Sequence, residues 1–120
     1  IEEFGKGRGK RYGQKINGHV YYGRGFVQLT WLSNYEKAQD ELGLPFVARP
    51  ELALEMGPAV AILFTGMAEG WFTGKKLSDF LNANGVDYRN ARRVINGTDR
   101  AEKIAGHARA FEHALRAAGY

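Results

Sequence analysis

The chain has 120 residues, of which 44% are hydrophobic, so it is long enough for one domain that buries roughly two thirds of its unfolded surface, and disorder is not expected. It has no cysteine, which excludes a disulfide framework and a thiolate metal site and leaves the fold dependent on packing. The net charge of +4 favours a polyanionic partner, but it does not distinguish a cell wall from a nucleic acid.

Residues 1 to 19 are rich in glycine and in basic residues. Glycines alternate with Lys6, Arg8, Lys10, Arg11 and Lys15. This pattern predicts a solvated, flexible loop, with a nucleic-acid-binding arm as the alternative. Gly18 and His19 predict a turn into the next segment.

Residues 21 to 31, YYGRGFVQLTW, combine glycines, paired tyrosines and an alternation of apolar and polar side chains. Val27, Leu29 and Trp31 alternate with Gln28 and Thr30, which predicts an extended segment whose apolar side chains enter the core. Gln28 and Thr30 would then face a cleft. The alternative is a glycine-kinked edge strand over an ordinary aromatic core.

A helix is predicted to begin at Ser33, which forms a capping box with Glu36, and to end at Gly43. Residues 44 to 56 contain prolines and are predicted to be mostly loop, with a turn of helix at residues 51 to 54.

Pro58 suits the first turn of a second helix, and residues 59 to 68 are apolar almost all round. This composition predicts a helix buried at the centre of the domain, with Phe64 and Met67 in the core. The apolar run at residues 59 to 64 is far shorter than the ~20 residues that cross a membrane, so no membrane insertion is expected.

Residues 70 to 74 are predicted to end that helix, and a short helix is predicted around residues 77 to 81. Asp87 is predicted to cap a helix that closes at Asn96 and Gly97. Asp99 and Glu102 are predicted to cap a last helix, whose apolar face carries Ile104, Ala108, Phe111 and Leu115.

The segment at residues 21 to 31 resembles the central motif of the family 19 glycoside hydrolases, which include plant-type chitinases and bacterial or phage endolysins. Further matches follow in family order at residues 48 to 53 (ARPELA), 66 to 74 (GMAEGWFTG) and 91 to 97 (ARRVING). These motifs resemble the endolysin branch more than the plant enzymes. The resemblance implies a mainly α, lysozyme-like, two-lobed domain with a small extended element beside a substrate groove.

Glycoside hydrolysis requires one carboxyl group that protonates the leaving oxygen and a second group that activates water or attacks carbon. The resemblance implies that Glu3 is the general base and that Thr30 helps to hold the attacking water, in a single displacement with inversion. It places the general acid in a His-Glu-Thr type segment about ten residues before Glu3. Residues 1 to 120 are therefore expected to be a single family 19 domain without its first helix and proton donor.

The resemblance also implies substrate contacts. Gln28, Asn34 and Asn96 match sugar-contacting positions, and amides can both donate to and accept from sugar hydroxyl groups. Tyr22 could offer its ring and hydroxyl to the same groove. Lys103 falls near a position that is arginine in some relatives. The alternative for Asn96 is a left-handed helix cap.

The function implied is cleavage of β-1,4 bonds in N-acetylhexosamine polymers, with peptidoglycan favoured over chitin, and the alternative is a carbohydrate-binding module that does not cut. No metal or cofactor is implied. His107 and His113 are about 240° apart on a helix, so they cannot share a metal from one face. We expect a monomer with a polysaccharide substrate and no nucleic-acid partner. It would be made in the cytoplasm of a bacterium or phage-infected cell and act on the cell wall.

Overall fold

The structure, a computed structural model, describes residues 1 to 120 and is mainly helical, with five α-helices and two short antiparallel hairpins. The predicted mainly α class is confirmed. The chain divides into two compact units, Ile1–Thr65 and Gly66–Tyr120. That residues 1 to 120 form one domain stays a prediction. None of the helices is long and apolar enough to cross a membrane.

The first unit contains short strands and the beginning of the helical part. Its elements are a 3-10 helix at Arg11–Gly13, β1 (Lys15–Ile16), β2 (His19–Val20), α1 (Leu32–Leu42), a 3-10 helix at Pro50–Leu54, and α2 (Met56–Glu69), which continues into the second unit. Asn17 and Gly18 join β1 to β2 and have φ angles of 49° and 86°. Such a pair is typical of a tight hairpin turn. The predicted loop at residues 1 to 19 is therefore a series of turns and a hairpin with exposed basic side chains.

The predicted alternating extended segment at residues 27 to 31 is wrong. Arg24 and Leu29 exchange backbone hydrogen bonds of 3.3 and 3.0 Å, so the chain reverses between them. Gly25 and Gln28 lie in this turn with positive φ angles of 82° and 54°. Leu29 is buried, but Trp31 is 43% exposed. The turn breaks the side-chain alternation on which the prediction depended.

Helix α1 begins two residues earlier than the predicted capping box requires. Its N-cap is Trp31 and has no side-chain capping hydrogen bond, so the predicted Ser33 and Glu36 capping box is wrong. Ser33 lies inside the first turn instead. The predicted end is confirmed, because Gly43 has a φ of 69° and donates its N–H to the carbonyl of Gln39 at 2.8 Å. The predicted helical turn near residues 51 to 54 is also present.

Helix α2 begins two residues before Pro58, which lies in its first turn. Ala59, Ile62 and Gly66 are buried and lie on one face, whereas Phe64 is 62% exposed. The prediction that this helix is buried all round, with Phe64 in the core, is wrong. An apolar composition on every side does not specify which face packs, and here only one face does.

The second unit is built from short elements and one long helix. These are a 3-10 helix at Leu77–Asp79, β3 (Leu81–Asn82), β4 (Gly85–Val86), α3 (Tyr88–Ala91), α4 (Arg93–Asn96) and α5 (Ala101–Ala117). The predicted cap at Asp87 is confirmed, because its side chain accepts the Asn90 N–H at 3.0 Å. The single helix predicted over residues 88 to 96 is divided at Arg92.

The start of α5 differs from the prediction. Arg100 is its N-cap, in the left-handed conformation with a φ of 53°, and makes no side-chain capping hydrogen bond. The predicted caps at Asp99 and Glu102 are therefore wrong. Glu102 forms an ion pair with Arg89 at 2.7 Å instead.

Candidate functional site

The N-terminal residues run beside both arms of the turned motif. Arg24 lies at the centre and forms antiparallel bridges to Glu2 on one side and to Leu29 on the other. The Glu3 N–H donates to the carbonyl of Gly23 at 2.8 Å, which fixes the register of the first pair. Three segments that are distant in sequence therefore form one small antiparallel ladder.

The two predicted catalytic residues lie next to the bridges of Arg24. Glu3 pairs with Gly23, because its N–H donates to the Gly23 carbonyl and its carboxylate accepts the Gly23 N–H. Thr30 directly follows Leu29, the other bridge partner of Arg24. Glu3 and Thr30 therefore belong to neighbouring segments of the ladder, and their catalytic roles stay predictions.

The Glu3 carboxylate is held by three donors. Its Oε2 accepts the Gly23 N–H at 2.7 Å, and its Oε1 accepts the Tyr12 hydroxyl at 3.2 Å and the Gly7 N–H at 3.3 Å. None of these donors carries a charge. The carboxylate is thus fixed in position without being neutralised by a cation, an arrangement that suits a group that must accept a proton.

Gly23 makes room for this arrangement. A Cβ at this position would lie 2.8 Å from Oε1 of Gln28 and 3.2 Å from Oε2 of Glu3. The Gln28 amide donates to the carbonyls of Gly25 at 3.0 Å and Ile1 at 3.3 Å, so it contacts both the turn and the N-terminal segment. The structure therefore brings the predicted substrate residue Gln28 close to Glu3.

Thr30 and Asn34 lie at the junction between the ladder and α1. The Asn34 side chain donates to the Thr30 carbonyl at 2.8 Å, which fixes the backbone there. Thr30 is half-buried, and its hydroxyl makes no hydrogen bond within the chain. That hydroxyl is free to bind a water molecule.

Tyr22 is engaged within the protein. It is 8% exposed, its hydroxyl donates to Glu2, and the Arg24 guanidinium lies 3.6 Å from the centroid of its ring. The hydrogen bond from Tyr22, and to a smaller extent that from Lys6, lowers the pKa of Glu2. The predicted contact of Tyr22 with substrate stays a prediction.

Arg24 supports the ladder from inside the first unit, and the sequence analysis did not single it out. It is 6% exposed, and it donates to the Tyr35 hydroxyl at 2.9 Å and to the Val20 carbonyl at 3.1 Å. The Tyr35 hydroxyl in turn donates to the Tyr22 carbonyl at 2.8 Å. Burial raises the pKa of Tyr35 to about 12. The sequence signal that could have identified Arg24 is its position between two glycines in an aromatic run.

One opening borders the Glu3 carboxylate, and a second borders its hydrogen-bond partner Tyr12. One, of about 510 Å³, is lined by Glu2, Glu3, Phe4, Gly5, Lys6 and Arg8. A second cleft, of about 380 Å³, contains Tyr12 and Trp31 in its wall. Sequence reasoning missed both aromatics, because Tyr12 lies in the predicted loop and Trp31 was predicted to be in the core. No local pattern marks a tyrosine in a glycine-rich segment as a partner of Glu3.

Asn96 and Lys103 belong to the second unit. Both are exposed, and neither side chain makes a hydrogen bond or an ion pair. The left-handed cap considered for Asn96 is wrong, because Gly97 has the positive φ, of 49°, while Asn96 is helical. The predicted substrate contacts of Asn96 and Lys103 stay predictions. No group of three or more His, Asp and Glu side chains gathers where it could hold a metal ion.

Two plant proteins are similar to this chain. An endochitinase of Arabidopsis thaliana is 35% identical over 80 residues, which cover 67% of this chain and 26% of that protein. A second endochitinase of the same plant is 34% identical over 106 residues, which cover 82% of this chain and 37% of that protein. The chain thus spans well under half of either relative. No family model matches it, and no solved structure does.

These similarities show a chitinase-like sequence along most of the chain. The matched stretch of 106 residues is too long to consist of the tyrosine- and glycine-rich motif alone. The assignment to family 19 and to its endolysin branch stays a prediction.

Proposed function

We propose that the chain is part of a glycoside hydrolase of family 19 that cleaves β-1,4 bonds in N-acetylhexosamine polymers. The observation that carries the proposal is the Glu3 carboxylate, which uncharged donors hold beside the turned motif that contains Thr30. The similarity to endochitinases supports the same chemistry.

In the proposed reaction a water molecule lies between the Glu3 carboxylate and the Thr30 hydroxyl. Glu3 accepts a proton from this water while the water oxygen bonds to the anomeric carbon and the glycosidic bond breaks. A second carboxyl group protonates the leaving oxygen, and the family resemblance implies that this carboxyl group lies before Ile1. Because water attacks once from the opposite side, the configuration at the anomeric carbon inverts.

The proposed substrate is peptidoglycan rather than chitin. The endolysin-like motif favours it, and the exposed basic residues of the segment that follows Glu3 suit an anionic wall polymer. We propose that the protein is made in a bacterium or phage-infected cell and acts on the wall as a monomer.

The test is mass spectrometry of the products from purified peptidoglycan and from chitin, using the full-length protein. We expect muropeptide disaccharides from the first polymer, and clearing of Gram-negative cells whose outer membrane has been permeabilised. Glu3→Gln should abolish both, while Glu41→Gln should not, because Glu41 is an exposed carboxylate on α1. Undiminished cleavage by Glu3→Gln would remove Glu3 from the mechanism.

The stereochemistry gives a second test. Proton NMR of fresh products should show the α-anomer before mutarotation, as single displacement at a β-linkage requires. An initial β-anomer would overturn the inverting mechanism. Polymer binding without any product would instead identify a carbohydrate-binding module.

A further inference from the structure

We propose that the cleft lined by Tyr12 and Trp31 is a binding subsite for one N-acetylhexosamine ring, near the Glu3 carboxylate. Trp31 supplies the flat apolar surface, and Tyr12 joins that surface to Glu3. This inference rests on the proposed function, because it places the substrate chain relative to Glu3. Neither residue was a candidate on sequence grounds.

The first observation is the exposure of Trp31 despite a firmly held backbone. Its N–H donates to the Tyr21 carbonyl at 3.0 Å, and its carbonyl accepts the N–H groups of Asn34 at 3.1 Å and Tyr35 at 3.3 Å. Yet 43% of this residue is exposed. The backbone therefore fixes a large apolar side chain at the surface of the cleft.

The second observation is the backbone conformation of Trp31, with a φ of 70° and a ψ of 137°. Residues with side chains rarely adopt a positive φ, and such strained positions are concentrated at ligand-binding sites. A glycine there would avoid the strain, but it would leave the cleft without its indole ring.

The third observation is the link to the proposed catalytic group. The Tyr12 ring packs edge-on against Trp31, with centroids 5.7 Å apart and planes at 70°, and the Tyr12 hydroxyl donates to Glu3 at 3.2 Å. A sugar on Trp31 would thus lie one aromatic side chain away from the carboxylate.

The lining of the cleft suits a sugar, which has apolar C–H faces and polar edges. Ile16 and Leu32 add apolar surface, while Arg11, Ser33 and Glu36 supply donors and acceptors at the rim. A mainly apolar wall with a few polar groups is typical of small-molecule sites, and about 380 Å³ lies within their range of volumes.

The chain offers its own reporter, because its two tryptophans are Trp31 in the first unit and Trp71 in the second. Trp71→Phe makes Trp31 the sole indole, and Trp31→Phe leaves only Trp71. Both would be studied with Glu3→Gln, so that no ligand is consumed. The ligands are chitotetraose and the tetrasaccharide of alternating N-acetylglucosamine and N-acetylmuramic acid.

We expect a saturable change in emission for the protein that retains Trp31 and none for the protein that retains Trp71. In calorimetry, Trp31→Gly should weaken binding at least tenfold while leaving the circular dichroism spectrum intact, because glycine relieves the positive φ. Phe111→Ala removes an exposed aromatic from the second unit and serves as the matched control. Tyr12→Phe, which keeps the ring, should bind within about twofold of the parent. A preference for one of the two ligands would identify the polymer.

Three results would overturn the inference: calorimetric binding with unchanged Trp31 emission, equal affinities for Trp31→Gly and Phe111→Ala, or no binding of either oligosaccharide. The proposed function fails separately. Oligosaccharide binding at Trp31 without hydrolysis by the protein that retains Glu3 would contradict the function and support the subsite. Hydrolysis at the parent rate by Trp31→Gly would support the function and contradict the subsite.

Discussion

The two units hold their residues in different ways. Ten of the thirteen buried apolar residues lie in the first unit, and only Val94, Ala101 and Ala105 lie in the second. In the first unit, side-chain hydrogen bonds join residues that are distant in sequence, as between Gly23 and Glu3. In the second, many join residues two to four apart, and Phe111 on α5 is 71% exposed.

This difference indicates different roles for the candidate residues. The Glu3 carboxylate and the Thr30 backbone are held beside a ladder that a buried arginine supports, as expected of groups that must be positioned before the reaction. Asn96 and Lys103 have exposed side chains without partners, as expected of groups that contact a ligand only when it binds. Substitutions in the first unit should therefore change turnover or folding strongly, and those in the second should change them less.

The largest contrast is expected between Thr30→Val and Asn96→Ala. Valine is nearly isosteric with threonine but cannot hold the attacking water, so turnover should fall by about 10² to 10⁴ with little change in KM. Asn96→Ala should mainly raise KM, because a ligand contact is lost. Steady-state kinetics on a soluble oligosaccharide would measure both. Thr98→Val, an exposed position near Asn96, serves as the control, and equal losses in turnover for Thr30→Val and Thr98→Val would contradict the assignment.

Arg24→Met should give the largest loss of stability. Methionine removes the desolvated cation over Tyr22 and the hydrogen bonds to Val20 and Tyr35, at a cost of about 3 kcal/mol in the free energy of unfolding. Arg109→Met changes an exposed arginine on α5 and should cost less than about 0.5 kcal/mol. Urea unfolding would give both values. Similar losses for the two variants would show that Arg24 is not a support of the ladder.

Two glycines offer the next contrast. Alanine at Gly23 would push against the ends of Glu3 and Gln28, which are flexible, so stability should change little while turnover falls by about 10², as for a misplaced catalytic group. Gly106 lies within α5 with open space around it, and alanine there should stabilise the protein by about 0.5 to 1 kcal/mol without changing turnover. Normal turnover by Gly23→Ala would show that Glu3 needs no open position beside it.

The features that could be predicted from the sequence are those that depend on a few adjacent residues. Gly43 ends α1 and Asp87 caps α3, because a left-handed glycine and a capping carboxylate act within one turn. The N-cap of α1 was misplaced by two residues, since the capping-box pattern at Ser33 could not reveal that Trp31 precedes the helix with a positive φ.

The structural features that were missed depend on contacts between distant residues. Nothing near Tyr12 shows that its hydroxyl reaches Glu3, and the alternation around Gln28 concealed the turn that exposes Trp31. Phe64 was placed in the core because α2 is apolar all round, although only one face packs. Glu3 itself was singled out by resemblance to a family, not by the chemistry of its neighbours in sequence.

The smallest predicted effect concerns acid stability and compares Glu2 in the first unit with Glu112 in the second. Hydrogen bonds from Tyr22 and then Lys6 lower the pKa of Glu2 below its usual value of 4.5, and those from Arg116 and then Tyr88 do the same for Glu112. A carboxylate with a lowered pKa contributes stability above the unfolded pKa and loses that contribution as the pH falls through the folded one.

Glu2→Gln and Glu112→Gln should therefore lower the midpoint of thermal unfolding at pH 7, and the difference from the parent should vanish at a pH well below 4.5. The Glu2 and Glu112 side chains are 39% and 33% exposed, so solvent screens both carboxylates and each shift should be small. Hydrogen exchange would localise the effects: Glu2→Gln should loosen the ladder around Arg24, and Glu112→Gln should loosen only α5 and Tyr88. Loss of protection in the same peptides for both variants would contradict the separation between a unit held by distant contacts and one held by local ones.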